Sequence, residues 1–64
     1  MQEIHNAIEH ARLASGDATL AVRADRGQLQ IVRVIWPAGG DVATVEPVSP
    51  WADLGATIAA LRAY

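Results

Sequence analysis

Histidine and carboxylate side chains are the residues of this chain that could carry out acid–base or metal chemistry. His5 and Glu9 stand four positions apart, which makes them neighbours on one face of a helix. Such a pair can transfer a proton or bind a metal, but a stable zinc site needs more ligands than this face supplies. We therefore interpret the pair as part of a solvated helix face, and we predict no metal site.

Nucleophilic catalysis has no support in the residue types. The chain has no Cys and no Lys, which excludes disulfides, thiolate catalysis, Schiff-base chemistry and a P-loop. Its two serines, Ser15 and Ser49, are predicted at helix ends, and neither has a histidine nearby in the sequence. The glycine- and histidine-containing motifs of common enzyme classes are missing. We predict no catalytic residues, no cofactor and no enzymatic activity.

Composition indicates one small domain. The chain has 64 residues, 52% of them hydrophobic and 19% charged, with a formal net charge of -2. This length allows a single core, and the apolar content is too high for a disordered chain. Apolar stretches are too short to span a bilayer, and Glu3 and His5 do not fit a signal peptide. We expect one α+β domain over residues 1–64, in the cytoplasm and without a membrane partner.

Two helices are predicted, one near each end of the chain. Apolar residues at helical spacing cover 2–15, and Gly16 is placed to end that helix. A second helix is predicted from 50 to about 63, with Ser49 as its N-cap and Pro50 in its first turn. Its apolar stripe is expected to contain Trp51, Leu54, Ile58 and Leu61.

Three β-prone runs lie between the helices, at residues 19–24, 29–36 and 41–48. Turn signals separate each run from the next, which predicts a three-stranded antiparallel meander. Pro47 cannot donate a hydrogen bond within a sheet, so the third strand is expected at an edge. The fold class is therefore α+β, in the order α-β-β-β-α, with both helices packed on one face.

The register of the first hairpin follows from its hydrophobic pattern. Pairing Ala24 with Leu29, and Val22 with Ile31, gathers the apolar side chains on one face of the sheet. A shift by one residue would place Leu29 and Ile31 opposite the wrong neighbours and remove them from the core.

For the second hairpin, we predict that Trp36 pairs with Asp41 and Ile31 with Glu46. Arg33 then lies diagonal to Glu46 on the same face, close enough for an ion pair.

The sheet face away from the helices is predicted to be more apolar at one end than a monomer needs. The end near Arg26 is polar, whereas Trp36 stands at the other end with three valines, Val32, Val34 and Val45. A contiguous exposed apolar patch usually marks an interface. The alternative is that a helix or the 37–40 loop covers part of this face.

From these observations we predict a non-enzymatic protein–protein interaction module. Its partner would be another protein or a second copy of the chain, and a homodimer is expected because domains this small often need additional support. The Lys-free, Ala- and Arg-rich composition suggests a bacterial or phage genome. The small size of the chain would suit an accessory regulator or inhibitor of a larger protein. The predicted partner-binding residues are Trp36, Val34, Val32, Val45, Arg23 and Arg33.

Nucleic-acid binding is the alternative function. Arg23, Arg26 and Arg33 are predicted on or near the first hairpin, where they could contact phosphates while Trp36 stacks on a base. The element order is similar to that of double-stranded-RNA-binding domains. Those domains have a Lys-rich segment at the start of their last helix, whereas residues 49–53 of this chain contain no cation.

Overall fold

The computed structural model describes residues 2–64, and its elements follow the predicted order. The three strands form one antiparallel sheet in which β2 is central. This arrangement confirms the predicted α+β class, the meander and the edge position of Pro47. The elements are α1 (Gln2–Ser15), β1 (Leu20–Asp25), β2 (Gln28–Ile35), β3 (Thr44–Pro47) and α2 (Leu54–Arg62).

One hydrophobic core lies between the helices and the sheet. Ala7 and Ala11 of α1 and Leu61 of α2 are almost completely buried, in one cluster with Leu20 of β1 and Ile31 of β2. Small side chains on α1 allow its backbone to approach the sheet closely, while Leu20 and Ile31 fill the space between the layers. Both helices therefore cover the same face of the sheet, and the molecule is only 19 Å thick in its shortest dimension.

The first hairpin has the predicted register, with Ala24 opposite Leu29. Its turn consists of Arg26 and Gly27, which both have positive φ angles of 52° and 78°. Two such residues form the type I′ turn, whose twist matches that of the strands on either side. The turn and the hydrophobic pattern therefore favour the same register.

The second hairpin differs from the predicted register by two residues. Arg33 pairs directly with Glu46 instead of lying diagonal to it, and β3 is shorter than the predicted strand 41–48. Gly40 donates a hydrogen bond to the Pro37 carbonyl (3.1 Å), which closes a turn just after β2. Residues 41–43 then return outside the ladder. Because the shift is even, Arg33 and Glu46 keep their common face and form the predicted ion pair at 3.1 Å.

The predicted start of the second helix at Pro50, with Ser49 as N-cap, is wrong. The Ser49 hydroxyl accepts a hydrogen bond from the Ile31 N–H (3.0 Å), and the Ile31 carbonyl accepts from Val48 (2.8 Å) and Ser49 (3.2 Å). The chain therefore stays beside β2 after β3 ends. It stays there as far as Ala52, which exchanges two backbone hydrogen bonds with β2.

Asp53 is the N-cap of α2. Its carboxylate accepts a hydrogen bond from the Ala56 N–H (2.7 Å), and its extended backbone (φ -73°, ψ 171°) marks the change from strand to helix. A carboxylate at this position satisfies a backbone donor and interacts favourably with the helix dipole. Trp51 therefore lies before the helix and is not part of its apolar stripe.

Asp17 connects the end of α1 to the middle of the sheet. Its carboxylate accepts hydrogen bonds from the Thr19 hydroxyl and N–H, and from Arg33 Nε (2.7 Å). These contacts, those of Thr19 first, lower the pKa of Asp17 from 3.8 to about 2. Because Arg33 also pairs with Glu46, one guanidinium joins the α1–β1 connection, β2 and β3.

We expect the Asp17 contacts to make stability depend on pH in the acid range. The folded state favours the ionised carboxylate, so its contribution is present above pH 3.8 and is lost as the pH falls toward about 2. Urea unfolding at a series of pH values should show a steeper loss of stability for the wild type than for Asp17→Asn over this interval. Identical slopes for the two proteins would contradict this role of Asp17.

Candidate functional site

The candidate site is the sheet face opposite the helices, which we call the open face. It is identified by the alternation of side chains: Leu20 and Ile31 point into the core, so their neighbours along each strand point away from it. No helix among the described elements packs on this side. The open face consists of Ala21, Arg23, Asp25, Gln28, Gln30, Val32, Val34, Val45 and Pro47, and Trp36 continues the same alternation beyond the end of β2.

The end of the open face near the first hairpin is covered by side chains from three segments. The guanidinium of Arg23 lies over the indole of Trp51, 5.2 Å from the ring centroid. Two of its nitrogens donate to Gln30 Oε1 (2.8 and 2.6 Å), and Gln30 Nε2 donates to the Ser49 carbonyl (2.9 Å). We call Arg23, Gln30 and Trp51 the Arg23–Trp51 stack. It buries Gln30 to 6% exposure while Trp51 remains 37% exposed.

The other end of the open face is apolar and uncovered. Trp36 is 68% exposed and Val45 is 42% exposed. Val34, opposite Val45 in the ladder, is half-buried. The 37–42 loop is itself exposed throughout.

Val32 differs from the other predicted binding residues because it is buried, with only 2% exposure. It lies in the central strand between Ala21 and Pro47, which flank it in the ladder. Val32 therefore lies beneath the surface of the open face, whereas Trp36, Val34 and Val45 form its accessible part.

Arg23 and Arg33 lie on opposite faces of the sheet. Arg23 pairs with Gln30 in the open face, whereas Arg33 pairs with Leu20 on the helix side and bonds to Asp17 and Glu46. The structure therefore does not bring these two arginines together in one surface. Of the six predicted partner-binding residues, Arg33 is the one that lies on the helix side of the sheet, away from the open face.

Trp51 and Gln30 are functional candidates that the sequence analysis did not select. Trp51 was expected inside a helix because Ser49 and Pro50 resemble a helix start. Asp53 is an equally good N-cap, and its use leaves the preceding residues free to continue along β2. Because residues 48–52 lie beside β2, the Trp51 side chain lies next to that of Arg23 on the open face.

Titratable residues do not gather into a reactive cluster in the described part of the chain. Glu9 bonds to Arg12 (2.8 Å), and residues 2–64 contain no group of three His, Asp or Glu side chains that could hold a metal ion. An open cleft of about 310 Å³ lies between β2 and the end of α2. Its lining is apolar apart from two hydroxyls: Ile31, Val48, Ser49, Ala60, Ala63 and Tyr64.

Comparisons with protein-family models, curated proteins and solved structures found no match to this chain. Within residues 2–64, neither helix has the length and apolar character needed to cross a membrane. The open face therefore has to be interpreted from its own geometry and chemistry.

The two tryptophans should differ in their contribution to folding. Trp36→Ala should change the free energy of unfolding by less than about 1 kcal/mol, because most of its ring is exposed. Trp51→Ala should cost about 2 kcal/mol, because it removes both the contact with Arg23 and the apolar cover of Gln30. Thermal melts followed by far-UV circular dichroism measure both changes. An unfolded Trp36→Ala protein would show that Trp36 belongs to the core.

Proposed function

We propose that this protein is a non-enzymatic protein–protein interaction module that binds through its open face. The observation that carries the proposal is the apolar end of that face, where Trp36 and Val45 are exposed and no element of residues 2–64 packs over them. Exposed tryptophan is enriched among residues that dominate binding energy, and contiguous apolar surface is typical of interfaces. A small accessory regulator or inhibitor of a larger protein would use a surface of this kind.

The chemistry of the open face supports binding rather than catalysis. Its ionised groups lie at the hairpin end, where Arg23 is held by Gln30 and Trp51. The cleft beside α2 is open, and no Asp, Glu or His side chain lines it. Neither surface therefore combines an enclosed cavity with acid–base groups, which substrate chemistry generally requires.

The arginines give limited support to nucleic-acid binding. Arg33 bonds to two carboxylates, and Arg23 shares its guanidinium with Gln30 and Trp51. Arg26, exposed in the hairpin turn, is the remaining arginine of this region. Phosphate binding would have to compete with the contacts of Arg33 and Arg23, and the net charge of -2 opposes it further. A protein partner therefore agrees better with the charges than a nucleic acid does.

Affinity capture with matched variants tests the proposal. Tagged wild-type protein, Trp36→Ala and Leu13→Ala are each incubated with nuclease-treated lysate. Leu13 is 82% exposed on α1, so its variant removes exposed apolar area away from the open face. We expect Trp36→Ala to lose about 2 kcal/mol of binding free energy to any captured protein, and Leu13→Ala to keep it.

Two results would contradict the proposal. One is a partner that Trp36→Ala and the wild type bind equally well. The other is sub-micromolar, salt-sensitive binding to RNA or DNA that Arg23→Ala abolishes, which would assign the face to nucleic acid.

A further inference from the structure

The first strand, β1, is an edge strand, and half of its backbone groups point away from the sheet. The Thr19 carbonyl accepts a hydrogen bond from the Val34 N–H (2.9 Å), which fixes the alternation along β1. Residues of an antiparallel edge strand bond in turn to the neighbouring strand and to the outside. Every second residue of β1 therefore presents its N–H and C=O at the outer edge. These residues are Leu20, Val22 and Ala24.

Two of these three residues have unpaired backbone groups. Within residues 2–64, the outward N–H and C=O groups of Val22 and Ala24 have no hydrogen-bond partner. The Leu20 carbonyl differs, because it accepts a hydrogen bond from Arg12 Nε (2.8 Å). Unpaired N–H and C=O groups along an extended edge are the groups that an added β-strand binds. The stretch from Val22 to Ala24 can therefore hold a further strand.

The outer edge of β3 offers less hydrogen-bonding capacity. Arg33 of β2 lies between two residues that bond to β1, so its own backbone groups bond to Glu46 of β3. Val45 and Pro47 consequently point outward. Pro47 has no N–H, and proline on an edge strand hinders the addition of another strand. The sequence of β1 contains no proline.

The two helices are displaced toward the outer side of β1. The first helix packs on β1 and the second on β2. Packed helices lie about 8–10 Å apart, whereas neighbouring strands lie about 4.8 Å apart. With α2 above β2, the axis of α1 therefore lies outside β1. The hydrogen bond from Arg12 to the outward Leu20 carbonyl agrees with this position.

The space below α1 and outside β1 is partly apolar, and we call it the β1 edge groove. Ile8 and Val22 pack against the core but are only half-buried. Ile8 lies one helical turn before Arg12, so both side chains are on the same side of α1. The cation of β1, Arg23, is held over Trp51 on the open face and leaves the groove free. The groove consists of Ile8, Arg12, Val22 and Ala24.

The position of α1 decides what can bind in this groove. A second copy that paired through its own β1 would bring its α1 into the space that the first α1 fills, because both helices extend over the shared edge. A second copy that paired through β3 would bring Pro47, which has no N–H, to the edge. An extended segment of another protein, with no helix above it, meets neither obstacle.

We propose that an extended segment of a partner protein binds in the β1 edge groove as a fourth strand of the sheet. Its backbone bonds to Val22 and Ala24, and one apolar side chain fits between Val22 and Ile8. This inference goes beyond the proposed function, because it uses the edge of the sheet and does not require the open face.

Peptides selected from a random library of displayed linear peptides are the probes for this inference. Some of the selected peptides should bind Ala24→Pro at least about tenfold more weakly than the wild type, because proline removes an outward N–H and leaves the ladder with β2 intact. Val45→Pro removes the outward N–H of the other edge and should bind the same peptides with unchanged affinity. Binding should also slow the hydrogen exchange of the Val22 and Ala24 amides.

N-methylation of the peptides provides a second test if Ala24→Pro fails to fold. Methyl groups on alternate peptide amides should abolish binding in one phase of the alternation and preserve it in the other. Peptides that all bind Ala24→Pro as tightly as the wild type, or that tolerate methylation in both phases, would overturn the inference. Loss of binding by Trp36→Ala alone would reject the edge groove while supporting the open face, so the two proposals fail separately.

Discussion

The backbone of Ile31 is the point on which the rest of this structure depends. Its side chain is 2% exposed in the core, while its N–H and C=O bind the segment after β3 through Ser49 and Val48. These bonds hold residues 48–52 beside β2 and delay the second helix until Asp53. The same residue therefore fixes the core on one face of the sheet and the path of the chain at its edge.

This path determines what the open face can do. Because residues 48–52 stay extended, Trp51 reaches the open face and stacks on Arg23 instead of entering a helix. The hairpin end of the face becomes covered, while the other end is left with exposed Trp36 and Val45. The covered end of the open face and its exposed end therefore both result from the extended path of residues 48–52.

Local sequence signals were enough to predict most of the fold. The hydrophobic pattern and the turn at Arg26 and Gly27 agree on one register, so the first hairpin and the two faces of β2 were predicted correctly. The predicted register of the second hairpin was wrong by two residues, because the turn after Trp36 closes at Gly40 and excludes residues 41–43 from the ladder. Strand pairing there depends on Pro37 and on tertiary contacts that no short pattern contains.

The start of α2 and the Arg23–Trp51 stack could not be predicted for a related reason. Ser49 and Asp53 are both good N-caps, and the choice between them depends on the Ile31 N–H, which is eighteen residues away from Ser49. Unless that contact is known, nothing in the sequence places Trp51 next to Arg23. The exposed residues Trp36 and Val45 needed only strand alternation, so the apolar end of the face was predicted. The polar end was predicted as well, but the contact of Arg23 with Trp51 that covers it was not.

Comparing Ile31→Ala with Val34→Ala in dilute solution most directly tests the claim that β2 has one closed and one open face. Ile31 is 2% exposed under the helices, so its variant should lose about 2–5 kcal/mol of stability, enough to unfold much of the protein. Val34 is half-buried on the open face, so its variant should lose less than about 1 kcal/mol. The extra methylene of Ile accounts for only about 1 kcal/mol of the difference. Equal losses, or a larger loss for Val34→Ala, would contradict the account.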